Sequence, residues 1–253
     1  MAAPRTCCDD DEHGRPDVFL VDANGARLLS CADQHAMVGE VIPIEDLVFA
    51  TAVMFGCKHL PVEIINAILA LIGPLNFCVS SNVVVPGQSE MNVRYLRLSI
   101  PTVKEMRLPH GFHVLPCRRL LVDCSSHDQG WATWEQENDD IDALSWTWSE
   151  LQVTSPKRTK VPVGRVHVTT NVRADDRYRH HRRIFGPDDE VVQHVVPGST
   201  VEMYLRSRYP GWKNYVNHGV IQASFHVEID EEFDFQAGIG GADPSSSWRC
   251  TIQ

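Results

Sequence analysis

A chain of 253 residues, 43% of them hydrophobic, with apolar runs that are short and rich in valine, has the length for one large domain and the composition of a globular, mainly β protein. Its 33 acidic against 23 basic side chains leave a formal charge of −10, which excludes a protein that coats nucleic acid, because phosphate neutralisation needs a dense basic surface. No run approaches the roughly 18 apolar residues of a membrane span, the N-terminus lacks the basic-then-apolar order of a secretory signal, and the eight cysteines contain no CxxC pair; the expectation is a cytoplasmic or nuclear protein with reduced thiols and neither metal nor cofactor.

Residues 1–17 carry the acidic run Asp9 to Glu12 and read as a disordered tail. Residues 18–92 read as a mixed, partly helical segment, in which "DANG" (Asp22 to Gly25) is a turn signal and residues 18–55 have no assigned role. Its clearest element is a helix over 60–73. Pro61 suits the first turn and Glu63 favours the helix dipole, while Ile64, Ile65, Ile68, Leu69 and Ile72 recur at helical spacing before Gly73-Pro74 stops it. The apolar face either packs on its own domain or, through Leu60, Pro61, Ile64, Ile65, Ile68 and Leu69, docks a partner. "LPVEII" resembles the opening of an F-box, which would imply docking to the adaptor of a cullin-type ubiquitin ligase. That layout needs further helices, whereas "PLNFCVSSNVVVPGQSE" reads as loop and strand.

From 93 to 235 the pattern is strands and turns. "YLRLSIP", "HVLPCRRLLVDCSS", "LSWTWSELQVT", "GRVHVTTNVR", "EVVQHVV", "TVEMYLRSRY" and "GVIQASFHVEID" are short, partly alternating and bounded by turn residues, which predicts a jelly-roll-like β-sandwich. Residues 236–253, rich in glycine and serine, read as a flexible tail.

Four of the six tryptophans fall within "SSHDQGWATWEQENDDIDALSWTWSEL". Trp146 and Trp148 sit two apart and therefore share one strand face, opposite Ser145, Thr147 and Ser149; they are expected in the core. Trp131 and Trp134 lie in a polar loop and either bind a ligand or cover the core edge. A second aromatic loop, "RYPGWKNYVNHG", turns at Pro210-Gly211. If the two loops meet, His127, Asp128, Gln129, Trp131, Trp134, Arg208, Tyr209, Trp212, Asn214 and Tyr215 form a surface where rings hold apolar faces and polar groups fix orientation. For "HDQG" there is also a purely structural account, with Asp128 capping backbone N–H groups and Gly130 taking a positive φ.

These motifs carry a resemblance. "CRRLLVDCSSHDQGW", "SWTWSELQV", "HVTTNVRADDRYRHHRRIF" and "VVPGSTVEMYLRSRYPGWKNYVNHGVIQASFHVE", in that order over about Cys117 to Glu228, resemble an uncharacterised fungal domain family built around SHDQG[FW], a WTWxE-like strand and [RK][FY]PGWxNY. In that family the domain often follows an F-box-like helix. More remotely the layout is similar to the sugar-binding jelly rolls of F-box-associated receptors, which would imply a glycan ligand. The segment "ATWEQENDDIDAL" departs from the family's common His-Gly-Thr-Tyr loop.

No catalytic residue is expected. Ser125, Ser126, His127 and Asp128 are adjacent in sequence, and no GxSxG elbow is present. "HGFH" and "RHHRR" lack metal-ligand spacing. The basic run from Arg173 to Arg183 is either a solvated strand and turn or, through Arg177, Arg179, Arg182 and Arg183, a site for an anion or acidic partner. The expectation is therefore a non-enzymatic recognition protein that takes a protein or glycan ligand, with neither membrane nor nucleic acid as partner. Its alternatives are an F-box-like substrate receptor and a structural subunit of a larger complex.

Overall fold

A computed structural model describes residues 28–29, 43–57, 59–88, 90–130, 145–156 and 164–236. The tails, the "DANG" turn, Trp131 and Trp134 fall outside them, apart from Gln236.

The elements in chain order are β1 (Leu28–Leu29), α1 (Ile44–Ala52) running into a π-helical turn (Val53–Cys57), α2 (Val62–Ile72), β2 (Leu75–Ser81), β3 (Asn92–Ser99), α3 (Val103–Met106), β4 (Phe112–His127), β5 (Thr147–Thr154), β6 (Val166–Thr170), β7 (Arg179–Phe185), α4 (Glu190–Gln193), β8 (Thr200–Ser207) and β9 (Tyr215–Ile229). The fold is mainly β. One antiparallel sheet has the order β1-β7-β4-β9-β2 and the other β3-β8-β5-β6.

The pairs β2–β9, β3–β8, β4–β7 and β5–β6 join strands counted equally from the two ends of the series. Eight strands thus form one long hairpin, which the pairs β4–β9 and β5–β8 fold over on itself. This is the double Greek-key wrap of a jelly roll. Because every strand reverses, the ends of β2, β4, β6 and β8 and the starts of β3, β5, β7 and β9 gather at one end, as the pairs His127↔Tyr215 and Val85↔Val216 show.

Between the sheets lies the core, with Leu151, Val153, Val201, Met203 and Leu205 from one and Leu120, Val122, Ile221, Ala223 and Phe225 from the other. Alternation produces it: in β8, Val201, Met203 and Leu205 point inward while Tyr204 and Arg206 do not. The sandwich begins earlier than the boundary at 93, since β2 occupies the edge of the larger sheet with Leu75, Phe77 and Val79 on its core side.

The helix expected over 60–73 is α2. Ile65 and Leu69 are buried against β9, and Asn66 locks the contact by donating to the carbonyl of Ile229 and accepting from its N–H, both at 2.9 Å. The six proposed docking residues are therefore split. Ile65 and Leu69 belong to the protein's own core, Leu60 and Ile68 are half-buried, and only Pro61 and Ile64 are exposed. Strand β2 follows directly after α2, and among the described residues no helix lies between α2 and β3, where the F-box layout continues in helices. No described helix is long and apolar enough to cross a membrane.

Candidate functional site

Trp146 and Trp148 do share a face, but it is the outer one. In β5 the buried residues are Thr147, Ser149, Leu151 and Val153, and Ser145 just ahead is buried too. Polarity of the interior at the loop end reverses the expected orientation. Ser126 Oγ donates to Asn171 Oδ1 (2.6 Å), Asn171 Nδ2 donates to Thr147 Oγ1 (2.9 Å) and to Asn214 Oδ1 (3.0 Å), and Ser145 Oγ donates to Asp128 Oδ2 (2.6 Å). Asn214 Nδ2 donates to the carbonyls of Trp148 (2.9 Å) and Arg206 (3.2 Å). An inward indole would displace Thr147 and leave buried amides unpaired, at a greater cost than half-exposing two tryptophans.

Two residues expected at the ligand are thereby reassigned. Asn214 is 1% exposed and Asp128 is fully buried; both are scaffold. Asp128 caps its own turn by accepting from the N–H of Gln129, and Gly130 follows with φ +81°, where a Cβ would sit 2.7 Å from Asp176 Cβ. The structural account of "HDQG" is the observed one.

Burial pushes the Asp128 carboxyl up to about 6, against the hydrogen bonds from Ser145, Gln129 and Ala174 and the charge of Arg173. A raised carboxyl binds its proton more readily folded than unfolded. Stability should therefore fall as pH rises from about 4 to about 6, by on the order of 2 kcal/mol, and level off above. Urea midpoints across this range should show that slope in the wild type minus an Asp128→Asn variant. Parallel curves would mean that the carboxyl titrates normally.

The described start of the first loop, His127 to Gly130, meets the second loop. Gln129 Oε1 accepts from the N–H of Lys213 (3.1 Å), and the His127 ring stacks on Tyr215 at 4.6 Å with its edge toward Tyr178 at 4.4 Å. Burial lowers the pKa of His127 below its ordinary value. Ser126, His127 and Asp128 turn to Asn171, Tyr215 and Ser145 respectively, so no nucleophile-base contact forms among them.

The arginines of the expected anion patch are paired with their own neighbours. Arg182 is buried and paired with Asp123 (2.7 Å), Arg177 and Arg179 share Asp175 (3.0 and 2.5 Å), and Arg183 donates to the carbonyl of His167 (2.9 Å) over the ring of Phe185. Arg177 precedes β7, so the two alternate arginines do not line one strand.

A different cluster takes shape on the outer face of the smaller sheet. Cross-strand pairing sets Trp148 opposite Arg206 and Glu150 opposite Tyr204 on β8, and Asn92 and Arg94 of β3 on the other side of the same two residues. Trp148 Nε1 donates to Glu150 Oε1 (2.8 Å), and Glu150 faces Arg165 (3.4 Å) and Arg206 (3.5 Å). Arg165 lies 4.1 Å over the Tyr204 ring and donates to Asn92 (2.6 Å); Glu202 sits between Arg94 (2.9 Å) and Arg97 (3.9 Å). Just beyond β8, the Arg208 guanidinium stands 5.4 Å from the ring centre of Trp146 and 5.3 Å from that of Tyr209, and the two rings meet edge to face at 5.0 Å.

Between Glu90, Met91 and Asn92 on one side and Trp148 with Arg206, Ser207 and Arg208 on the other opens a cleft of about 500 Å³. That is within the size range of ligand pockets. Glu90 at its rim has φ +51°, a conformation uncommon for a residue other than glycine. Of the expected contacts, Arg208 lines the cleft and Tyr209 stands beside it through Trp146. His127, Gln129 and Tyr215 instead hold the loops together, and Trp212, half-buried, completes the turn by donating its backbone N–H to the Tyr209 carbonyl (3.1 Å). Trp148, Arg206, Glu90 and Asn92 were missed, though "MYLRSR" carries the signal: Met203 and Leu205 inward put Tyr204, Arg206 and Arg208 on one outer row.

Comparison with models of known protein families finds no match, and neither does comparison with curated proteins.

Proposed function

We propose that the protein is a non-enzymatic, intracellular recognition module that holds a protein or glycan ligand in the cleft beside Trp148. The observation that carries this reading is the outward placement of Trp146 and Trp148, each with an arginine over its ring, next to an open cleft. Partly exposed indoles forgo part of their burial energy, and aromatic and arginine side chains are the residues that dominate binding surfaces. The outward Trp146 and Trp148 support this reading over a structural subunit whose tryptophans all lie in the core.

Arrays of peptides and of glycans probed with wild type and with Trp148→Ala test the proposal. The variant should fold normally, within about 1 kcal/mol of wild type, and lose about tenfold or more in affinity for whatever the wild type retains. Equal binding by the two proteins would remove the cleft as the recognition site.

A further inference from the structure

The cleft opens on a face whose charge is inverted relative to the whole protein. Arg94, Arg97, Arg165, Arg206 and Arg208 stand there against Glu90, Glu150 and Glu202, an excess of two positive charges in a chain of net charge −10. Four of those arginines already serve the two central carboxylates: Glu202 takes Arg94 and Arg97, and Glu150 takes Arg165 and Arg206. Arg208 differs. Among the described residues its guanidinium has no carboxylate and no hydrogen-bond acceptor, only the rings of Trp146 and Tyr209. Stacking restricts the guanidinium and leaves its N–H edge available, a pre-organised donor for a planar two-oxygen acceptor.

Carboxylate and phosphate both answer that description, and the surroundings separate them. A phosphodiester chain along this face would meet Glu90, Glu150 and Glu202, whereas a peptide brings backbone N–H groups that such carboxylates and Asn92 accept. We infer that the ligand is an acidic peptide segment whose carboxylate pairs with Arg208 while a neighbouring side chain packs on Trp148. This inference rests on the recognition reading above and names its ligand class.

Tryptophan fluorescence titrations with a short oligoglutamate peptide, with oligolysine and with oligouridine test it, using the full chain. Oligoglutamate should bind saturably and more weakly as salt is raised. Its affinity should fall about tenfold or more in Arg208→Ala and stay unchanged in Arg118→Ala, an exposed arginine of β4 outside the cleft. Circular dichroism checks that both variants keep the wild-type fold. No oligoglutamate binding by wild type, equal binding by the Arg208→Ala protein, or tighter binding of oligolysine or oligouridine would each overturn the acidic-peptide assignment. In those cases the array ligands still decide the recognition reading separately, through their dependence on Trp148.

Discussion

Replacing Arg182 with methionine is expected to cost about 3–5 kcal/mol of folding stability, the range for removing one partner of a buried ion pair. Asp123 and Arg182 face each other across β4 and β7, their side chains 2% and 4% exposed, with Nε 2.7 Å from Oδ2. The nearest other basic side chain, His180, has its Nδ1 3.9 Å from the other carboxylate oxygen. Burial by itself raises the Asp123 carboxyl; His180 and Arg182 outweigh it and hold the group below its ordinary value. In wild type that contribution is present above the unfolded value near 4 and is lost as pH falls through the lowered folded one. With methionine in place burial is opposed by His180 alone, so the carboxyl should rise from its lowered value. The stability gap between variant and wild type should accordingly narrow as pH falls through about 5 toward 4. Chemical denaturation at several pH values measures both effects. A gap below about 1 kcal/mol that ignored pH would show that the pair behaves as a solvated surface bridge.

Asn214→Ala should destabilise by about 2–4 kcal/mol, since it strands three buried groups at once. The carbonyls of Trp148 and Arg206 lose their shared donor, and the Asn171 amide loses an acceptor. Asn214→Asp, nearly the same shape, should not rescue the loss, because a carboxylate cannot donate to two carbonyls. Ligand affinity should drop as well, although Asn214 does not line the cleft, because its two bonds fix the main chain beneath the Trp148 ring and the Arg206 guanidinium. Thermal and urea unfolding read the first effect and array binding the second. A loss below about 1 kcal/mol would mean that water takes over the amide's bonds.

The strand-rich half of the fold was legible because period-two alternation is a local property, and the same holds for the "HDQG" turn and for α2. What local pattern could not supply was direction. "SWTWS" alternates large apolar with small polar residues, and the ordinary preference for burying indole selects the wrong face. The deciding partners, Asn171 and Asn214, lie 24 and 66 residues from the groups in β5 that they bind. Arg182 illustrates the same limit: within "RYRHHRRIF" it looks like one charge of a surface cluster, and only the pairing of β7 with β4 brings Asp123, 59 residues away, against it. Arg206 and Arg208 were readable in principle from the inward alternation of β8, but their association with Glu90 and Asn92 requires the β3–β8 ladder.

The wrapped-hairpin order has a consequence for how the molecule is made. β2 finds its partner in β9, with Leu75 opposite Phe225, 150 positions later in the chain. β4 likewise needs β9 along one of its two edges. A nascent chain that has not reached Tyr215 therefore carries a central strand with an open edge and an edge strand with no partner at all. Such non-local pairing folds slowly, and open strand edges invite association with other chains in the meantime. Folding of this sandwich completes only after its last strand has left the ribosome, so chaperone protection matters most in the interval before that strand arrives.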